Sequence, residues 1–474
     1  MRGRSTILII VIVAVLIVGL TTVSLVSAKH ESLTGMLIFC QVPADMTNMD
    51  YRTGGDWRYP SQTRIVAVDP KHPEGTLKVL TGDFYSARAP EISYDGKRLL
   101  FSGQRKKDEP WQIWEMNLED LKVRQVTSGP GGGTDPAYLP DRRIVFSGLI
   151  TDSTVGTGHI LYTCSLDGSD LKPITFHPHS DFASTVLQDG RILTISRQLY
   201  PSPGAAMLMV LRPDGTKAEL FYENRKDGWP SSRGRETGHG QIVFVESDPN
   251  YCGGTIVAVS RNRPLHSRMV LTAGIEGKFH SVFPLSTGKL VVSYRETDVG
   301  RYGLFEFDPI KKRLEQLIYS DPDYHALEPV MVAERPRPKK LPSIVNEQKT
   351  TGSLLCLNSD MSDLPAVNNP SSVKRVQVLG IRNDWGEVPV AEDGSFYIEL
   401  KADTPVRFRT VNEDGRMIRG PSAWLWVRPG ERRSCIGCHE DRELAPENRV
   451  PLAVNQPPVS LSTPLSQHDV EGNP

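Results

Sequence analysis

What this 474-residue sequence lacks narrows it before any motif does. No long stretch repeats apolar residues at three- and four-residue spacing, which excludes a helical bundle or a coiled coil. Neither sign of charge dominates. With 55 Lys and Arg against 56 Asp and Glu, the net charge is −1, so there is no global electrostatic reason to bind nucleic acid. Cysteine is scarce and irregular: Cys40, Cys164, Cys252 and Cys356 follow no framework spacing, so a disulfide scaffold is not expected. Cys40 and Cys164 sit in strand-like runs and read as buried thiols. Long apolar runs are missing except at the very start.

That exception is a targeting signal. Arg2 and Arg4 precede an uninterrupted apolar run over 7–20, and Val26-Ser27-Ala28 supplies small residues before Lys29. The pattern predicts a signal peptide cut after Ala28, or an uncleaved membrane anchor over 1–28. Either places the rest of the chain in the periplasm or another extracytoplasmic space, secreted or tethered.

What is abundant is glycine and proline, 40 and 36 residues, which suits many short strands joined by turns. Over 33–334 the sequence repeats. A tight turn precedes "RLLFSG", "RIVFSG", "RILTIS", "QIVFVES" and "KLVVSYR", and these turns recur every 46 to 50 residues. A second hairpin recurs with them, as in "TRIVAVDPKHPEGTLKVLT", "WQIWEMNLEDLKVRQVT" and "HILYTCSLDGSDLKPIT", in six copies, one more than the turn-led runs. Four strands at this period predict the blades of a propeller, since radial closure removes exposed sheet edges. The first unit lacks the short leading strand of the others. That strand reappears after the sixth as "YHALEPVMVAE", so it is expected to close blade one. The units resemble TolB-type propeller repeats.

No nucleophile–base constellation appears within the repeats. His177 and His179 in "FHPHSDF" have a spacing that suits a metal, but in a loop they are expected to be solvated or hydrogen-bonded. His239, His280 and His325 fall near the starts of successive units and are candidates to face a central funnel.

A Pro- and Lys-rich stretch without periodicity, 335–352, marks a linker. Beyond it, alternating strands with Asp-Gly turns at Asp393-Gly394 and Asp414-Gly415 predict an antiparallel meander, a small β-sandwich-like domain over 353–450. The overall class is therefore all-β. The Pro- and Gln-rich tail 451–474 is expected to be disordered.

The domain ends in "GERRSCIGCHEDREL". Two thiols separated by two residues and followed at once by histidine suit a single covalent haem c. Cys435 and Cys438 would add to the vinyl groups, and His439 would reach the iron from the proximal side. Such attachment takes place outside the cytoplasm, where the leader sends this chain. Zinc would need a second ligand pair that does not follow. A thioredoxin-like site would need a βαβ unit. A structural disulfide stays open. Arg432 and Arg433 are candidates to pair the haem propionates, and Trp424 and Trp426 to wall the macrocycle. The distal ligand is left between Met417, His468, a histidine of the repeats, and an open position.

The order of these parts, with "SAWLWVRPGERRSCIGCHEDRELAPENR" at its end, resembles the hydrazine synthase alpha subunit family over roughly 35–451. The resemblance implies a c-type haem at Cys435, Cys438 and His439. The family also places a tyrosine ligand downstream of this motif and has a further haem domain. Here no tyrosine follows Tyr397, so ligation from that position is excluded and hydrazine synthesis is not expected. The expected function is a mono-haem cytochrome-like protein, with the propeller docking a redox partner or complex subunit. The alternatives are a propeller binding protein with a structural Cys pair, and an oxidoreductase acting at an open iron.

Overall fold

The computed structural model describes residues 32–44, 60–224, 228–248, 253–362, 365–367, 373–437, 449–461 and 463. The leader expected over 1–28 lies outside them. The regular secondary structure of the described chain is almost entirely strand, and its one helical element is the short 3-10 turn Leu452–Asn455.

The turns form where glycine permits them. Gly96, Gly190 and Gly288 take φ of 70°, 90° and 84°, a region without penalty only when Cβ is absent. The runs after them pair antiparallel with their neighbours and build six sheets between residues 37 and 331. Their burial is continuous rather than alternating: Arg98–Gln104, Gln241–Ser247 and Leu290–Arg295 are buried along nearly their whole length. Both faces are covered because adjacent sheets pack on one another. One shared core joins Val243, Val245, Ile256 and Ala258 of the fifth sheet to Phe279, Val282, Leu290 and Phe307 of the sixth.

The first sheet is completed from the far end of the repeats. Tyr324–Met331 pairs antiparallel with Leu37–Pro43, Val330 opposite Ile38, as the sequence pattern predicts. Contacts between sheets run from each to the next, and the first sheet's Tyr324–Met331 also touches Ser86–Ile92 of the second and Lys278–Pro284 of the sixth. The cycle of contacts is closed and propeller-like. The fifth sheet departs from the four-strand pattern, with Arg235–Glu236 as a fifth strand on Gln241–Ser247.

Four of the leading strands carry the same irregularity. Register shifts occur at Ala89, Asp135, Ala183 and Glu328, whose φ lies between 50° and 55°. Such a bulge re-aims the chain at a sheet edge. Here all four bulged residues line one cavity bordered by all six sheets.

The C-terminal region is a sandwich of two four-stranded sheets. Leu354, Cys356, Ile398 and Leu400 of one face Val376, Val378, Val388 and Phe408 of the other. The antiparallel meander expected from the sequence needs correction in one sheet. Arg432–Cys435 joins Thr351–Cys356 in parallel, and Val459–Leu461 joins Phe396–Lys401 in parallel. The tail expected to be disordered from 451 is corrected too. Its first part forms the 3-10 turn and that edge strand, because Leu461 adds to the apolar core. Residues 464–474 lie outside the described chain.

The linker 335–352 is extended and held against the sheets. Arg335 bonds Glu91, Lys339 N–H donates to Gln188 O (3.1 Å), and Ile344 N–H donates to Asp214 Oδ2 (2.8 Å).

Candidate functional site

Cys435 ends the parallel edge strand Arg432–Cys435, with Cys356 as its register partner. The chain is fastened just beyond it. Leu357 N–H donates to Cys435 O (3.0 Å) and Asn358 N–H to Ile436 O (3.1 Å). At Gly437 a Cβ would collide with the Met361 carbonyl oxygen, so only glycine lets the loop lie this close. Cys438 and His439 lie outside the described residues.

Cys435 and Gly437 open onto a cleft between the sandwich and the fourth sheet, enclosing about 1040 Å³ counting its mouth. This is at the upper end of the ~300–1,000 Å³ usual for ligand sites. Its lining is mainly apolar or aromatic: Trp424, Trp426, Phe396, Phe408, Met207 and Met209. His177 and His179 line it from the repeat side.

Of the two states expected for these histidines, solvated or hydrogen-bonded, the structure shows the second: both are buried and hydrogen-bonded. The strand His179–Val186 runs inward from them and carries Asp181, which takes His177 Nε2 at 2.8 Å. The two imidazoles stack, centroids 4.0 Å apart and 17° from parallel. Trp426 abuts His177 edge-on at 4.8 Å. His179 Nδ1 bonds Ser196 Oγ (3.0 Å), while its buried Nε2 has no hydrogen-bond partner. Burial, reinforced by His177, pushes the His179 pKa well below the ordinary imidazole value, so it is neutral.

The tryptophans both wall the cleft and seat the sandwich. Trp424 Nε1–H donates to Tyr200 O (2.9 Å) and Trp426 Nε1–H to Gly215 O (3.2 Å), both carbonyls of the repeat region. Glu431, nearly fully buried, accepts from Lys217 N–H and Arg428 N–H, each at 2.8 Å. Arg433 lines the cleft, donating to Trp426 O (3.3 Å) and Ala218 O (2.5 Å). Arg432 is exposed and does not line it. Met417, expected as a possible iron ligand, lies on the opposite sheet and is also absent from the lining. His468 falls outside the described residues.

The second cavity is the one bordered by all six sheets, about 800 Å³. His280 lines it, whereas His325 is buried accepting Tyr302 N–H (3.1 Å) and His239 is exposed on a turn. Its charges are matched: Glu328 accepts from Arg88 (2.8 Å) and Ala89 N–H (3.0 Å), and Asp135 from Ala183 N–H (3.0 Å). Nearby, Glu91 meets Arg233 (3.2 Å), Arg235 (2.7 Å) and Arg335. Burial alone would raise the Glu91 carboxyl, but these guanidiniums hold it down to about 2. Sequence reading missed this cluster, whose members lie far apart in the chain.

The cleft's donors fit a covalent haem. A thiol stands at its edge, aromatic and apolar walls suit a macrocycle, and an orphaned buried imidazole nitrogen suits iron.

Residues 344–440 match the model of the hydrazine synthase alpha subunit middle domain. The chain is 24% identical to hydrazine synthase subunit alpha of Kuenenia stuttgartiensis over 550 aligned residues, covering 88% of this chain and 67% of that one. The solved hydrazine synthase of Kuenenia stuttgartiensis superposes with a TM-score of 0.78 at 22% identity, over 90% of this chain and 71% of that one. TolB from Acinetobacter baumannii gives a TM-score of 0.46 at 15% identity, over 64% and 68%. The chain is thus similar to the hydrazine synthase alpha subunit over most of its length.

Proposed function

We propose that this chain is an exported mono-haem c-type protein, a six-bladed propeller over 33–334 joined by 335–352 to a haem-binding β-domain over 353–450. The observation that carries the reading is the cleft itself. Cys435, the first cysteine of a CxxCH run, stands at the rim of a largely apolar space that neither region would enclose alone. The leader over 1–28 directs the chain to the periplasm, freely or as a membrane tether.

A haem c bound there supplies a one-electron redox centre. Cys435 and Cys438 would hold it, and His439 would supply an imidazole to the iron. Trp424 and Trp426 exclude water from one side while fixing the sandwich on the propeller. Arg433 keeps a cation at the cleft and tightens the same contact through two carbonyls. Arg432 is free of the lining and available to a propionate or to a partner's surface. The outer faces of the sheets offer the docking platform for a redox partner or fellow subunit, as the similarity to a subunit of hydrazine synthase supports.

The test is intact mass spectrometry and a pyridine haemochrome assay on protein exported from a host with c-type maturation. One added haem mass per chain and a c-type band are expected. A colourless protein with a Cys435–Cys438 disulfide overturns the reading and leaves a binding propeller with a stapled C-terminus.

A further inference from the structure

His179 is a buried imidazole with its ligating nitrogen uncommitted, in the wall of the cleft that Cys435 borders. Other buried polar atoms of the described chain also lack a hydrogen-bond partner, but this one combines that with a place in the cleft wall and a nitrogen able to bind a metal. We propose that His179 Nε2 would ligate the iron of a haem c anchored at Cys435. The proposal rests on the haem reading above.

Three features support the assignment. Nδ1 is paired with Ser196 Oγ (3.0 Å), and in the tautomer in which Ser196 accepts the Nδ1 hydrogen the lone pair lies on Nε2; a histidine that ligates metal is usually oriented in this way by an oxygen at its other nitrogen. The ring is held from its face by His177, itself fixed by Asp181 and Trp426, so it cannot turn aside freely. The competing donors are less suited. His177 Nε2 is taken by Asp181, and Met209 is packed in the core that also holds Val186 and Trp426. Met207 lines the cleft, half-buried, and is the remaining rival. The residues come from two regions, so the iron would bridge them and lock the sandwich onto the repeats.

The experiment is electron paramagnetic resonance and visible absorption of the purified haem-loaded chain, wild type beside His179→Ala. Wild type is expected to be low-spin and six-coordinate in the ferric state, with near-infrared magnetic circular dichroism characteristic of two nitrogen ligands. His179→Ala should keep its covalent haem, lose the low-spin signature, bind carbon monoxide in the ferrous state, and regain low spin on addition of imidazole. High-spin wild type, or His179→Ala that stays low-spin, overturns the proposal; so does Met207→Ala losing the signature in its place. If His179→Ala fails to fold, the near-infrared band of wild type alone decides between two nitrogens and a nitrogen–sulfur pair. Absence of haem from wild type sinks the haem reading instead, which keeps the two failures distinct.

Discussion

Two cavities of the described chain differ in residue type and in behaviour. The central one gathers Glu328 and Asp135 at bulged strand positions and Arg88 beside one, and their charges are spent on one another and on backbone amides. The cleft beside Cys435 is mainly apolar, and it holds an imidazole nitrogen that nothing in the described chain engages. A matched buried cluster fixes geometry, because removing one member strands the others in a low dielectric. An apolar space with one uncommitted donor is shaped for something that arrives from outside. Chemistry is therefore expected at the cleft and rigidity at the centre.

The sharpest way to break this contrast is at the cleft. Cys435→Ser combined with Cys438→Ser should abolish covalent haem completely, read as loss of the added mass, with the thermal transition of the repeats retained. Trp426→Ala comes next. Truncating a fully buried tryptophan costs about 3–5 kcal/mol, and this one also bonds across the contact between the regions. The expected result is a lower midpoint in guanidinium and faster proteolysis within 335–352.

On the central side, Glu91→Gln should destabilise by roughly 3 kcal/mol, on the scale of 1.36 kcal/mol per pKa unit. The sign follows from the depressed carboxyl. Its contribution is fully present above the unfolded value of 4.5 and lost as pH falls toward about 2. Melting temperature against pH should therefore drop through this window in wild type and drop less in Glu91→Gln. An equal drop in both would show that the three guanidiniums do not stabilise through this carboxylate.

Gly437→Ala is a smaller perturbation, about 1–3 kcal/mol from overpacking against Met361. It should lower the yield of haem attachment more than it lowers overall stability, since the clash lies in the attachment loop. His239→Ala, on its exposed turn, should change stability by less than about 0.5 kcal/mol. A large effect there would mean that the turn is covered by a partner.

The repeat region was legible almost throughout, because turn glycines and β-branched runs act locally: "RLLFSG" after Asp95-Gly96 forms its hairpin whatever lies around it. The returning strand at Tyr324 was legible too, since a missing strand at one end and a surplus one at the other can only be reconciled by pairing them. The parallel additions of Arg432–Cys435 and Val459–Leu461 were not, because both are short and apolar in only one or two positions. For the site, the CxxCH spacing marked Cys435 directly. His177 and His179 looked like loop residues, and Met417 looked close by sequence distance alone.

By itself the sequence determined the all-β class, the repeat and its closure, and the thiols available for a cofactor, since each depends on neighbours a few residues away or on a periodicity that can be counted. Only the tertiary structure decided what faces those thiols. The wall opposite Cys435 is supplied by residues some 250 positions earlier, and whether a buried nitrogen there is satisfied depends on Ser196, Asp181 and Trp426 meeting in space.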